Sequence, residues 1–271
     1  MENLPSFYND KEQNGRVAGI NAESEGEFGY SAYDGPLSDN KLWNAPLCKN
    51  GKQQSPINID AVLFGNSVIN ATSFVNNLQH GYKLNVLNEG ATVRYTSPDQ
   101  SLFNFKMIRN GVEYRLDNFH FHTPSEHRIN NRHSDTEVHF VFKTDESENA
   151  DVAVAAFLLN VSDEPNATFD QILVPALVPK EKDESLTIFG PSLGEFFDKN
   201  FENHNVHQYV GSLTTPECAE GLKWHVSGVV QPILLKNFLN LRSIMGFNAR
   251  PVQARPDFAG QAVGASNGHK H

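Results

Sequence analysis

The chain has 271 residues, 39% of them hydrophobic, with 22 Lys and Arg against 32 Asp and Glu for a formal net charge of −10. That length suits one large all-β domain or two smaller ones, and the apolar fraction is enough for a sizeable core. The negative balance argues against an electrostatic nucleic-acid binder, and no apolar run is long enough to cross a bilayer.

In chain order, residues 1–27 are polar and acidic and read as an N-terminal arm, ordered only where it docks. The opening MENLPSFYND has neither the basic region nor the apolar core of a secretory signal. Three N-x-S/T triplets nevertheless begin at Asn70, Asn160 and Asn166, which are candidate N-glycosylation sites. Together with two widely spaced cysteines, Cys48 and Cys218, they suggest a secreted, extracellular protein whose signal has been removed. The cysteines themselves leave two alternatives open, buried thiols or one long-range disulfide, and spacing alone leans to the thiols.

From about residue 28 the texture changes to short β-rich runs separated by Gly, Asn, Asp and Pro. YKLNVLN (82–88) and TVRYT (92–96) alternate, 113–123 and 137–143 read as strands, and 152–161 is a buried apolar run. The stretches 208–212 and 222–230 complete the set. Helical spacing is confined to 169–177, ahead of Pro179, and to 233–244, where Leu234, Leu235, Phe238 and Leu241 share a face. Residues 180–205 read as a long charged connection. The expectation is a single, mostly β domain over 28–256, followed by a C-terminal tail, 257–271.

The stretch DNFHFHTPSEH (117–127) carries the chemistry. In a strand, residues i and i+2 face the same way, so His120 and His122 project together while Phe121 turns into the core. TEVHFVF supplies His139 on a second alternating run, which an antiparallel pairing would bring to the same point. Three histidines meet the need of catalytic zinc for three protein ligands and one open position. Asn118 and Glu137 each precede a histidine by two, share its face, and are suited to holding its second ring nitrogen. A single strand histidine is more often a hydrogen-bonded core or surface residue, and H-x-H alone is a weak pattern. The third histidine and the two polar partners make a metal the better account.

NFHFHTPSEH, TEVHFVF and GSLTTPEC together resemble the α-class carbonic anhydrases. QSPINID (54–60) resembles that family's N-terminal signature, and FGYSAYDGP (28–36) and NARPVQ (248–253) resemble its first and last segments. The resemblance runs from about residue 28 to 255. It implies a large, twisted, mainly antiparallel sheet with a few short peripheral helices and a conical zinc cleft. It also implies reversible hydration of CO2 to bicarbonate and a proton by zinc-bound hydroxide, with His120, His122 and His139 as ligands. Asn118 and Glu137 would hold His120 and His139. Thr214 would accept a hydrogen bond from the hydroxide and donate its own proton to Glu126, since a carboxylate only accepts. Val141, Val154, Leu213, Leu222 and Trp224 match the apolar wall that receives CO2, although each is also an ordinary core position, Val154 most of all. Thr215 would flank substrate or product, and Tyr30 would stand in the hydrophilic half of the cleft. Cys48 and Cys218 match the disulfide of secreted members. CO2 and bicarbonate, with anion and sulfonamide inhibitors, are the implied partners, and the resemblance leaves a homodimer open.

The chain also departs from the family. Fast members carry a proton-shuttling histidine in a segment resembling L-N-x-G-H, whereas here LNEGATVRY (87–95) places Ala91 there. No histidine lies between His80 and His120. The expectation is a slower hydratase helped by buffer, with Glu89, Tyr30, His80, His204 and His207 the substitutes to test. Arg94 is expected on the hydrophilic wall, where it would hold bicarbonate or another anion. Thr123 stands where a Trp often follows the second ligand. The alternative function is a carbonic-anhydrase-like binding or storage protein with weak or no turnover. Retention of the three histidines, Thr214 and Glu126 favours the enzyme, and the helical H-E-x-x-H motif of other zinc hydrolases is missing.

Overall fold

The computed structural model describes residues 30, 43, 45–61, 72–147, 150–201 and 205–254. Its elements are α1 (Pro46–Asn50), β1 (Asn58–Ile59), β2 (Thr72–Asn76), β3 (Lys83–Asn88), β4 (Val93–Thr96), β5 (Phe105–Arg109), β6 (Val112–His122), β7 (Arg128–Ile129), β8 (Thr136–Lys143) and β9 (Val152–Ser162). They continue with β10 (Ser185–Phe189), α2 (Leu193–Phe201), β11 (Val206–Ser212), β12 (Glu220–Ser227), β13 (Gln231–Leu234) and α3 (Leu235–Met245). Among the described residues, eleven strands form one large sheet with the spine β10-β3-β4-β6-β8-β9-β12-β11. Its ladders are antiparallel except that β12 and β13 both run parallel to β9, so the mostly β, mainly antiparallel architecture is as the sequence indicates.

The sheet has two unlike faces. One packs a large apolar core, in which Leu116, Phe119, Phe121, Phe140 and Phe142 from the central strands meet Phe196 and Phe197 of α2 and Leu241 of α3. The other carries a smaller cluster that includes Ile57, Ile59, Val154, Leu222, Trp224 and Val226. The long strand β6 serves both faces through a bulge. Its register against β8 shifts between Leu116 and Asn118, leaving Asp117 as the extra residue. Leu116 and Phe119, three positions apart, therefore both reach the main core. Asn118, His120 and His122 are left on the opposite face.

Two expectations need correction, and two strands were not anticipated. Residues 169–177 do not form a helix. Asn166 Oδ1 accepts the backbone N–H groups of Thr168 and Phe169, and the chain turns tightly into a 3-10 turn at Pro175–Leu177. Phe169, Ile172 and Leu173 are buried from that turn, which is why their spacing mimics a helix face. Residues 180–205 are more than a connection. SLTIF pairs with β3 as the edge strand β10, and α2 buries Leu193, Phe196 and Phe197. The strands β2 and β5, which pair with each other, lie in stretches whose mixed polarity hides a strand period.

Candidate metal centre

His120 on β6 lies directly across the ladder from His139 on β8, and His122 follows two residues on. One nitrogen from each ring falls within 4.8 Å of the others. The second nitrogen of each ring is held. His120 Nδ1 donates to Asn118 Oδ1 at 3.1 Å, His122 Nδ1 to the Asn248 carbonyl at 2.9 Å, and His139 Nε2 to Glu137 Oε1 at 2.7 Å. These acceptors have no proton to give, so the lone pairs left over are Nε2 of His120, Nε2 of His122 and Nδ1 of His139. His122 Nε2 is buried with no hydrogen-bond partner. A buried polar atom left unsatisfied is costly, and a metal ion supplies what it lacks. Burial lowers the pKa of His120 and of His122, and Arg94 adds to the effect on His120. Both rings are thus favoured in the neutral form that binds metal.

Behind His139 runs a buried relay. Glu137 Oε1 also accepts from His127 Nδ1 at 2.6 Å, and Glu137 Oε2 accepts the His127 backbone N–H at 2.8 Å. His127 Nε2 is then an acceptor, filled by the Tyr209 hydroxyl at 2.7 Å. Tyr209 and Ser55 share a further bond of 2.9 Å, and Ser55 Oγ accepts the Ser212 N–H. Burial pushes the Glu137 carboxyl up, but His127 and His139 outweigh it and hold it well below the usual carboxylate range. His127, Glu137 and His139 also have ligand atoms close together, but their N–H groups already point at the carboxylate.

Glu126 is fully buried. Its Oε1 accepts the Arg250 backbone N–H at 2.9 Å and lies 3.5 Å from His122 Nδ1. Its Oε2 lies 4.0 Å from His139 Nδ1 and has no hydrogen-bond partner. Thr214 is buried, but the bond from its hydroxyl to Glu126 that the resemblance implies is not formed here; Glu126 Oε2 is the oxygen open to receive it. The loop that carries Thr214 and Thr215 is pinned from several sides. Leu213 N–H bonds the Ala219 carbonyl, Cys218 N–H bonds the Thr215 carbonyl, and Cys218 is disulfide-bonded to Cys48. The lean of spacing towards free thiols is thereby overturned, because the fold brings two ends of the chain together that spacing leaves unrelated. Arg250, wholly buried, donates to the carbonyls of Ser55, Leu213 and Cys48 and to Gln54 Oε1.

On the apolar side, Val141 pairs with Val154 and Val154 with Trp224 across neighbouring strands. The Trp224 ring stands 4.9 Å from the His139 ring, and its Nε1 donates to the Ser212 carbonyl. Val154, Leu222 and Trp224 are buried, Leu213 packs against them, and Val141 and Thr215 are half-buried. On the polar side, Arg94 pairs with His120 across the ladder. Its Nε donates to Glu89 Oε1 at 2.7 Å and its Nη1 to Asn118 Oδ1 at 3.0 Å. The Ala91 carbonyl accepts from Asn248 Nδ2, and its methyl side chain brings no acid–base group. Burial, with the Glu126 carboxylate adding, pushes the Tyr30 phenol well above its ordinary pKa. His80 is on an exposed turn, and burial drives His207 down to about 4, with His127 contributing.

Asn70 and His204 lie outside the described residues. Asn160 is exposed on β9, whereas Asn166 is buried and occupied with its local turn. Sequence reasoning missed His127, Tyr209, Arg250 and Asn248. The histidine adjoins Glu126 in PSEH, and Asn248 and Arg250 stand in NARPVQ. Only their contacts disclose what they do.

A sequence model described as eukaryotic-type carbonic anhydrase matches residues 38–255. A carbonic anhydrase of Pectobacterium carotovorum is 29% identical over 232 residues, covering 83% of this chain and 86% of the relative. Among solved structures, a fungal α carbonic anhydrase from Aspergillus oryzae is 32% identical with a TM-score of 0.71, covering 88% of this chain and 100% of that one. An α carbonic anhydrase from Thermovibrio ammonificans, solved with the inhibitor sulfanilamide, is 28% identical with a TM-score of 0.68, covering 85% and 96%.

Proposed function

The chain belongs to the eukaryotic-type carbonic anhydrase family and is an enzyme of that class, and from this premise we propose that it hydrates CO2 reversibly at a zinc ion held by His120, His122 and His139, without a histidine proton shuttle. The observation that carries the zinc assignment is the convergence of three imidazole lone pairs, one of them the buried and otherwise unsatisfied Nε2 of His122. Zinc, when bound, supplies a Lewis acid that makes a water nucleophilic near neutral pH, as it does in carbonic anhydrases generally.

The chain's own residues do the rest. Asn118, the Asn248 carbonyl and Glu137 orient the three rings. Glu126 and Thr214 orient the nucleophile. Glu126 Oε2 is a buried acceptor without a partner, so a Thr214 hydroxyl that meets it must donate, and Thr214 Oγ1 is left to accept. Val141, Val154, Leu213, Leu222 and Trp224 offer the apolar surface that uncharged CO2 needs, and Thr215 flanks the product. Among the described residues, Ala91 cannot carry the proton and Tyr30 binds its own too tightly to pass it on. External buffer takes that role. The disulfide and the exposed Asn160 support a secreted glycoprotein, and sulfonamides are the proposed inhibitors.

Stopped-flow CO2 hydration by the zinc-loaded protein, across a series of buffer concentrations, tests this. The expected rate is well above background and climbs with buffer. A fast rate indifferent to buffer would mean that an internal group replaces Ala91. Absence of turnover would leave a binding or storage protein.

A further inference from the structure

The three candidate ligands differ in what holds them. His122 leans on a backbone carbonyl, which cannot turn, and His139 on a carboxylate, which accepts from either oxygen. His120 relies on a neutral side-chain amide, Asn118, with an acceptor at one end and a donor at the other. A flipped amide would offer its NH2 to His120 Nδ1. The ring would then carry its proton on Nε2, the nitrogen that faces the other two ligands.

Two charged neighbours oppose that flip. Arg94 Nη1 donates to Asn118 Oδ1 at 3.0 Å, and Asn118 Nδ2 donates to Asp117 Oδ2 at 2.8 Å. Turning the amide would set NH2 against the guanidinium and the carbonyl against the carboxylate. Both neighbours are fixed in turn. Glu89 accepts from Arg94 Nε at 2.7 Å, and Lys143 pairs with Asp117 at 3.1 Å. Glu89 also offsets the positive charge that Arg94 would otherwise bring beside a cation site.

We propose that Arg94, anchored by Glu89, is a positioning residue for the metal: through Asn118 it holds His120 in the tautomer whose Nε2 lone pair faces the ion. The proposal rests on the zinc reading above. It is tested with the metal-free protein and three variants, Arg94→Met, Asn118→Ala and the double substitution. Each is titrated with Zn2+ against a chelator of known affinity, and the His120 tautomer is read from imidazole 15N shifts. Arg94→Met is expected to weaken Zn2+ binding about tenfold, the lower end of what groups hydrogen-bonded to a ligand contribute. The double variant should be no weaker than Asn118→Ala alone, because the effect passes through the amide. The His120 ring should change from the single Nδ1–H form to a mixture. The Arg94 side chain is 34% exposed, so its removal leaves the core intact. Arg94→Met binding Zn2+ as tightly as the unmodified chain, or losses that simply add in the double variant, would overturn the proposal. An unmodified chain that takes up no Zn2+ would overturn the zinc reading itself.

Discussion

Glu137 is shared by two imidazoles: its Oε1 accepts from both rings and its Oε2 from the His127 backbone N–H. Replacing His127 by Phe would leave the carboxylate buried with one ring N–H instead of two and would remove one hydrogen-bond partner of the Tyr209 hydroxyl. Removing one hydrogen-bond donor from a buried carboxylate in this way costs about 1–3 kcal/mol. The expected outcome is a lower unfolding midpoint in urea together with weaker zinc retention by His139. Thr214→Ala acts differently, because among the described residues no hydrogen bond joins Thr214 to His120, His122 or His139. Its kcat/KM for CO2 hydration should fall on the order of 100-fold with zinc content unchanged, measured by stopped flow and metal analysis. The separate consequences follow from what each residue adjoins: His127 bonds the carboxylate that holds His139, and Thr214 sits in the loop pinned by the Cys218 disulfide. From the sequence, both residues were visible as letters in PSEH and GSLTTPEC. Thr214 had a role by resemblance, and His127 had none, because its partners Glu137 and Tyr209 lie 10 and 82 positions away.

At the scale of elements, a strand, its bulge and a cross-linked loop set the site. The alternation of β6 put His120 and His122 on one face without any knowledge of the fold. The bulge at Asp117 was not legible, since it is a mismatch in length between β6 and β8 and appears only once the two are paired. The loop after β11 depends on a different device. The Cys48–Cys218 bond closes a span of 170 residues and ties α1 beside the residues around Thr214. By the chain-entropy account such a closure contributes about 5 kcal/mol as an upper figure. Cys48→Ser with Cys218→Ser should therefore lower the denaturant midpoint by several kcal/mol equivalent, and CO2 hydration should weaken further than zinc binding does. A pair of variants with unchanged stability would mean that Arg250 and Gln54 alone hold the loop.

The whole molecule keeps more neutral imidazole inside than its unfolded chain would. Burial drives His225 down to about 4, Arg109 adding to it, and drives His207 to about 4 as well. Between the ordinary imidazole value of about 6.5 and this folded value, the unfolded chain binds protons that the folded chain refuses. Stability from these groups is thus fully present above about pH 6.5 and is lost as pH falls towards 4, each contributing roughly 3 kcal/mol at most. Glu137, whose folded pKa is depressed, adds a loss at still lower pH, below the ordinary carboxylate value. Urea unfolding at pH 7 and pH 5 should show a clear drop in stability, and His225→Leu should flatten that drop while costing something at pH 7. The sequence by itself determined the strand periodicity, the same-face pair His120 and His122, and the family, because these are carried by neighbours in the chain. Only the fold disclosed the relay from Glu137 to Ser55, the lock of Arg94 on Asn118 and the bulge at Asp117, and it turned the expected meeting of His139 with His120 and of Cys48 with Cys218 into contacts. Each of those depends on which distant strands lie side by side, and that is settled by how a sheet buries its faces rather than by any local pattern of residues.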